Sequence, residues 1–227
     1  MPAIRRVAIM AEMHGRDLTR RHVALILLVA LPLSFYLASV GSGDHAIVAG
    51  GVGMAFSISG ATLFSVLSSG EVDQRLILGG YRPLDLLLGR LLFLGPMGLV
   101  VGAAFSVLMC TVSNPARPWL TFIGVAAVAL QSIPFGLAVG AAVPRELEGT
   151  LVLVGVVGMQ LAVEPSSPVA AVLPFYGPQE LITSSLHAQG LIAWPLLLTV
   201  LYGIALMVVA RLLMTGRVDV VRHGEIR

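Results

Sequence analysis

The sequence predicts an all-α membrane protein with six transmembrane helices, an N-terminal amphipathic interfacial helix, and an outer re-entrant segment between spans five and six. Three observations predict it. Of 227 residues, 57% are hydrophobic and only 11% charged, against about 25% charged in soluble domains, so the chain has too few charges to clothe a water-soluble fold. Charge-free apolar runs approach, in six places, the roughly 20 residues that a helix needs to cross the hydrocarbon core. The arginines gather in the segments that six crossings would put on one side.

The first segment, 4–21, mixes Ile4, Val7, Ala8, Met10, Ala11 and Leu18 with Arg5, Arg6, Arg16, Arg20 and Arg21. That pattern fits a helix lying along the inner leaflet, its arginines near anionic headgroups. A plain membrane anchor and a role in coupling both suit it. The spans follow at about 23–40, 46–67, 91–112, 119–143, 150–163 and 191–213. Arginines precede the first, and Ala38-Ser39-Val40 loosely resembles a cleavage site. Its length and the five segments after it favour an uncleaved span over a signal peptide.

The fifth span is the shortest, and Pro165, Pro168, Pro174, Gly177 and Pro178 punctuate the apolar stretch beyond it. A crossing there would carry Arg211, Arg217, Arg222 and Arg227 outward, whereas six spans leave only Arg117 outside. The positive-inside rule therefore reads 164–190 as an outer segment that dips in without crossing, tolerable only where it packs in protein or lines water. Residues 1–227 form a single transmembrane domain with both termini cytoplasmic and no recognisable repeat.

Composition and spacing also exclude chemistries. All 14 basic residues are arginine, consistent with a GC-rich bacterial coding bias, so lysine-dependent chemistry is absent. The one cysteine, Cys110, supports neither a disulfide framework nor a cysteine zinc site within one chain, and packing explains it. His14, His22, His45, His187 and His223 are scattered over ends and loops without the i, i+4 spacing of a helical metal site, so no metal is expected. Apart from Arg211 near the inner end of the sixth, the six spans contain no Asp, Glu, Arg or Lys, which argues against an ion-coupled carrier. Ser57-Ile58-Ser59-Gly60 is similar to the serine motif of an intramembrane protease, but Ser57 stands where that motif carries glycine. Close helix packing accounts better for Gly50, Gly51, Gly53, Ser57, Ser59 and Gly60.

The informative segments are the inner loops at 68–90 and 144–149. In the first, Glu71 and Arg75 are spaced i, i+4 as in a short helix, which Gly79-Gly80 would end. Tyr81-Arg82-Pro83 then turns the chain, and an apolar helix restarts at Leu84. In the second, Pro144 suits a first helical turn, and Glu146 and Glu148 are favoured there by the helix dipole.

The first loop, with Glu71, Leu76 to Leu78, Gly79-Gly80 and Leu86 to Arg90, resembles the segment between the second and third spans of type-2 ATP-binding cassette (ABC) exporter permeases. It departs from that family's common Glu-Gly-Thr-Leu wording, carrying Val72-Asp73-Gln74-Arg75 instead. The second loop, Pro144-Arg145-Glu146-Leu147-Glu148-Gly149-Thr150-Leu151, is similar to the inner loop of actinobacterial permeases of the same family. The leading amphipathic helix and the outer segment with Leu173-Pro174-Phe175-Tyr176-Gly177-Pro178 fit its plan as well.

The resemblance implies the membrane-spanning subunit of an ATP-driven exporter in the bacterial plasma membrane. ABC ATPase subunits and a second permease subunit, identical or paralogous, would be its partners, with lipid around it and no nucleic acid bound. This chain would hold no cofactor, since ATP and Mg would reside in the partner ATPase, and it would not itself be an enzyme. Coupling to that ATPase would fall to Glu71, Asp73, Arg75, Tyr81, Arg82, Arg145, Glu146 and Glu148.

The cargo expected is a hydrophobic or amphipathic drug, antibiotic or lipid, as in multidrug efflux, because the spans offer Phe56, Phe64, Met109, Phe122, Phe135 and Met159 but little charge. Gln131 and Gln160, the amides within spans, either hydrogen-bond cargo or join helices. Phe56, Gln131, Phe135, Met159 and Gln160 are thus the candidates for the path. Two other readings stay open: a haem-exporter-like subunit of cytochrome c maturation, and an accessory assembly protein with no transport path.

Overall fold

The computed structural model describes residues 3–20, 22–43, 45–143, 145–163, 167, 169–187 and 192–224, and the side chains of residues 3, 17, 18, 20, 71 and 217–224 lie outside that description. The expectations resting on Arg21, Pro144, Pro165, Pro168 and Leu191, and on the side chains of Leu18, Arg20, Glu71, Arg217, Arg222 and Arg227, therefore fall outside the described residues.

Among the described residues the fold is all-helical, without strands. The helices are α1 (Ala3–Arg20), α2 (His22–Ser39), α3 (His45–Ser68), α4 (Gly70–Leu78), α5 (Pro83–Ser113), α6 (Pro118–Ala142), α7 (Glu146–Ala162), α8 (Tyr176–Leu186) and α9 (Ala193–Gly224). Local chemistry sets several boundaries. Prolines open α5 and α6 at the turn where the missing N–H costs nothing, and Asn114 ends α5 in the left-handed conformation that asparagine tolerates. Gly80, at φ +92°, turns the chain after α4.

Among the described residues, five segments are long and apolar enough to cross a membrane: His22–Ser42, His45–Ser68, Pro83–Ser113, Pro118–Ala142 and Ala193–Gly216. The sequence expects a sixth at 150–163. The corresponding α7 has 17 residues, about 25 Å of helix at 1.5 Å per residue, and falls short by length. The expected third span also changes. The helix restart expected at Leu84 is met within a residue, but α5 then runs unbroken from Pro83 over 31 residues, so the span bounded at residue 91 is part of a longer helix that takes Asp85 and Arg90 inside. The second inner loop carries the expected helix start: α7 begins at Glu146 with Arg145 at its N-cap, which puts Glu146 and Glu148 in its first turn.

The core forms on α3 and α6, the most enclosed of the long helices. Small residues let the backbones approach, which is what helix contacts require where the hydrophobic effect is weak. A Cβ on Gly136 of α6 would collide with the Ser59 carbonyl oxygen of α3, and one on Gly140 would lie 3.0 Å from the Val66 Cβ. Ser59 Oγ donates to the Ser132 carbonyl across the same seam at 3.1 Å, and Ser57 Oγ donates to the Leu28 carbonyl of α2 at 2.8 Å. Both serines of the protease-like stretch thus join helices.

Helix α7 runs antiparallel along α3. Its Gly149 faces Leu63, while Val157 and Gln160 line a small gap with Val48, Val52 and Ala55. The segment after α7 follows α6 instead. Gln131, about 20 Å along α6 from its start at 1.5 Å per residue, donates to the Pro174 carbonyl. At the other end of α8, Thr121 donates to Ser185 at 3.0 Å, and the Arg117 N–H donates to the Ser185 carbonyl at 2.8 Å. The chain therefore meets α6 half-way along and returns to its beginning. Helix α1 packs beside the first turns of α5, with Arg6 on Asp85, Met10 against Gly89 and Gly15 against Phe93.

Candidate functional site

Two features stand at the end of the molecule where α3 finishes and α5 and α7 begin. One is a charged knob. Helix α4 leaves α3 at Ser69 and is held to α5 by Arg90, whose side chain is wholly buried and lies 2.6 Å from Asp73 Oδ2. Arg90 also donates to Ser69 Oγ, which in turn donates to Asp73 at 3.3 Å. Burial raises the Asp73 carboxyl above its usual pKa, with the Arg90 guanidinium pulling against that rise. Nearby, Asp85 binds Arg6 Nε at 3.0 Å and accepts from the Arg82 backbone N–H at 3.1 Å, so one carboxylate fastens α1 and caps α5.

The structure separates the residues that sequence reading assigned to coupling. Asp73 faces inward and clasps α4 to α5. Arg75 and Arg82 are exposed, and Tyr81 is half-buried. Arg145 pairs with Glu148 at 2.8 Å on the surface of α7, and Glu146 is exposed. Glu71 lies on α4, its side chain outside the described residues.

The second feature is a cavity of about 300 Å³. Its floor is one face of α3, carrying Ser57, Gly60, Ala61, Phe64, Ser65 and Ser68 at helical spacing. Helices α2 and α7 wall it with Leu27, Leu31, Thr150 and Leu153, α5 adds Phe93 and Leu94, and α1 adds His14. Glu146 stands on its rim.

Of the expected path residues, Phe56 alone lines this cavity. Gln131, Phe135 and Gln160 instead hold the segment around α8. Phe135 meets Phe175 edge-on with ring centroids 5.4 Å apart, and Gln160 donates to Gln179. Met159 is exposed. Met109 is buried and Phe122 exposed, and Phe64 lies half on the cavity and half on the surface.

Sequence reading missed Asp85, Arg6, Arg90 and His14 as interior groups. A signal existed for two of them: Asp85 follows Arg82-Pro83 at the capping position, and Arg90 is embedded between Leu86-Leu87-Leu88 and a long apolar run. Nothing in the sequence marks Arg6 as the partner of Asp85. No group of three or more His, Cys, Asp or Glu side chains that could hold a metal occurs among the described residues. No protein-family model matches the chain, and no curated protein matches it.

Proposed function

We propose that this chain is the membrane-spanning subunit of an ATP-driven exporter for hydrophobic or amphipathic molecules, working with a separate ATPase chain. The observation that carries the reading is the α4 knob: a short helix between two membrane helices, pinned to α5 by the buried Arg90–Asp73 pair and bearing exposed Arg75 at its end. A push on α4 reaches α5 through that pair rather than being lost in a loose loop. The exposed Arg82, Arg145 and Glu146 beside it widen the surface a partner could grip. This reading rests on the sequence resemblance as well as on the knob.

The topology goes with it. Antiparallel packing of α7 along α3, from Leu63 to the level of Val52, supports a sixth crossing despite the short helix. The half-way contact of Pro174 with Gln131 and the return at Ser185 support a re-entrant segment. Docking of α1 on α5 supports an interfacial helix fixed to the bundle, and six crossings with the arginines inward would put both termini in the cytoplasm.

The test is isolation of the tagged chain from its native membranes, followed by ATPase assay in lipid nanodiscs. A stoichiometric chain bearing Walker motifs, with ATP turnover that drops about tenfold in R75E and R82E variants, is the expected outcome. A chain that purifies without any nucleotide-binding subunit, or an ATPase indifferent to both substitutions, overturns the reading.

A further inference from the structure

We propose that the cavity floored by α3 is a binding site for a lipophilic cation, meaning an aryl or alkyl body carrying one quaternary or delocalised positive charge. Its volume of about 300 Å³ is at the lower bound of ligand pockets, roughly 300 to 1,000 Å³. Phe56, Phe64 and Phe93 present aromatic rings to it among leucines and alanines, and ring faces attract cations as well as apolar groups.

The sign of the ligand follows from the rim. Among the described residues the lining holds one carboxylate, Glu146, and no arginine. The adjacent Arg145 and Glu148 are paired with each other at 2.8 Å, while Glu146 has no ion-pair partner among the described residues. An anion would meet that carboxylate with no guanidinium in the lining to offset it. A cation gains a counter-charge at the exposed rim, and the apolar walls focus the field of that carboxylate into the cavity mouth. His14 lines the same space. The floor is also open. A side chain on Gly60 would meet nothing within 4 Å at its Cβ.

As the loading site of an exporter, this cavity rests on the function proposed above; as a binding site it stands on its lining alone. The experiment therefore uses the full chain without an ATPase and without ATP. Purified protein in phosphatidylcholine nanodiscs is titrated with radiolabelled tetraphenylphosphonium, and in parallel with tetraphenylborate, which has the same shape and the opposite charge. Binding to protein-free nanodiscs is subtracted from both.

Saturable one-site binding of the phosphonium is expected, without a saturable site for the borate. E146Q should weaken the phosphonium about tenfold. G60L, which fills the cavity from its floor, should abolish binding while helix content and thermal midpoint stay unchanged. No saturable phosphonium binding, equal binding of the borate, or wild-type affinity in E146Q or in G60L overturns the proposal. Those failures leave association with an ATPase untouched, and a missing ATPase would leave this binding untouched.

Discussion

Arg90 is the residue on which most else hangs. A guanidinium with no solvent exposure is stable only with a counter-charge at hand, and Asp73 supplies it at 2.6 Å. The pair need not stabilise the fold more than a well-packed apolar pair would, since desolvation consumes much of the attraction. Breaking it from one side is another matter. Asp73→Asn should cost about 3 kcal/mol, the scale for stranding a buried charge, and should lower the thermal midpoint followed by the fluorescence of Trp119 and Trp194. The double change D73N/R90M should recover most of that loss. If D73N alone melts like the wild type, α4 is not fastened by this pair.

At the scale of elements, the seam between α3 and α6 illustrates how far the sequence could be read. Charge-free runs announced α2, α3 and α6 to within a residue or two, because nothing polar interrupts them and their glycines and serines are the small residues that close packing wants. The restart of α5 near Leu84 was legible, but the interior position of its first turns was not, for the opposite reason. A charge inside an apolar run reads as a boundary, and only the folded molecule supplies the Asp73 and Arg6 partners that let Arg90 and Asp85 sit within the helix. The knob was legible through Gly79-Gly80 and Arg82-Pro83. The cavity was not, since five helices contribute to it and no single segment carries its signature. The seam itself makes a paired prediction. Gly136→Ala should destabilise the bundle by roughly 1–3 kcal/mol, the usual cost of overpacking, because its Cβ would strike backbone. Gly155→Ala should be neutral or stabilise by up to about 1 kcal/mol, as alanine favours a helix over glycine, since nothing lies within 4 Å there. Thermal midpoints of the two variants in one detergent decide it; equal effects would mean that α3 and α6 are not in such close contact.

For the whole molecule the deciding quantity is parity. Six crossings put Gly79 and Thr215 on the same side, and five put them on opposite sides. Cys110 is the one cysteine, so C110S gives a clean background for single cysteines at Gly79, Asn114 and Thr215. An impermeant maleimide on intact cells should label the Asn114→Cys variant and reach the other two only after permeabilisation. Labelling of Thr215→Cys from outside would mean an odd number of crossings. The length of α5 adds a consequence of another kind. Thirty-one residues make about 46 Å of helix against a hydrocarbon layer of about 30 Å, and Arg90 sits two turns from one tip. Short acyl tails would leave the buried Arg90–Asp73 pair level with the headgroups, and long tails would bring it level with the hydrocarbon. The grip between knob and bundle is thereby tied to membrane thickness, tightening as the surrounding lipid grows taller.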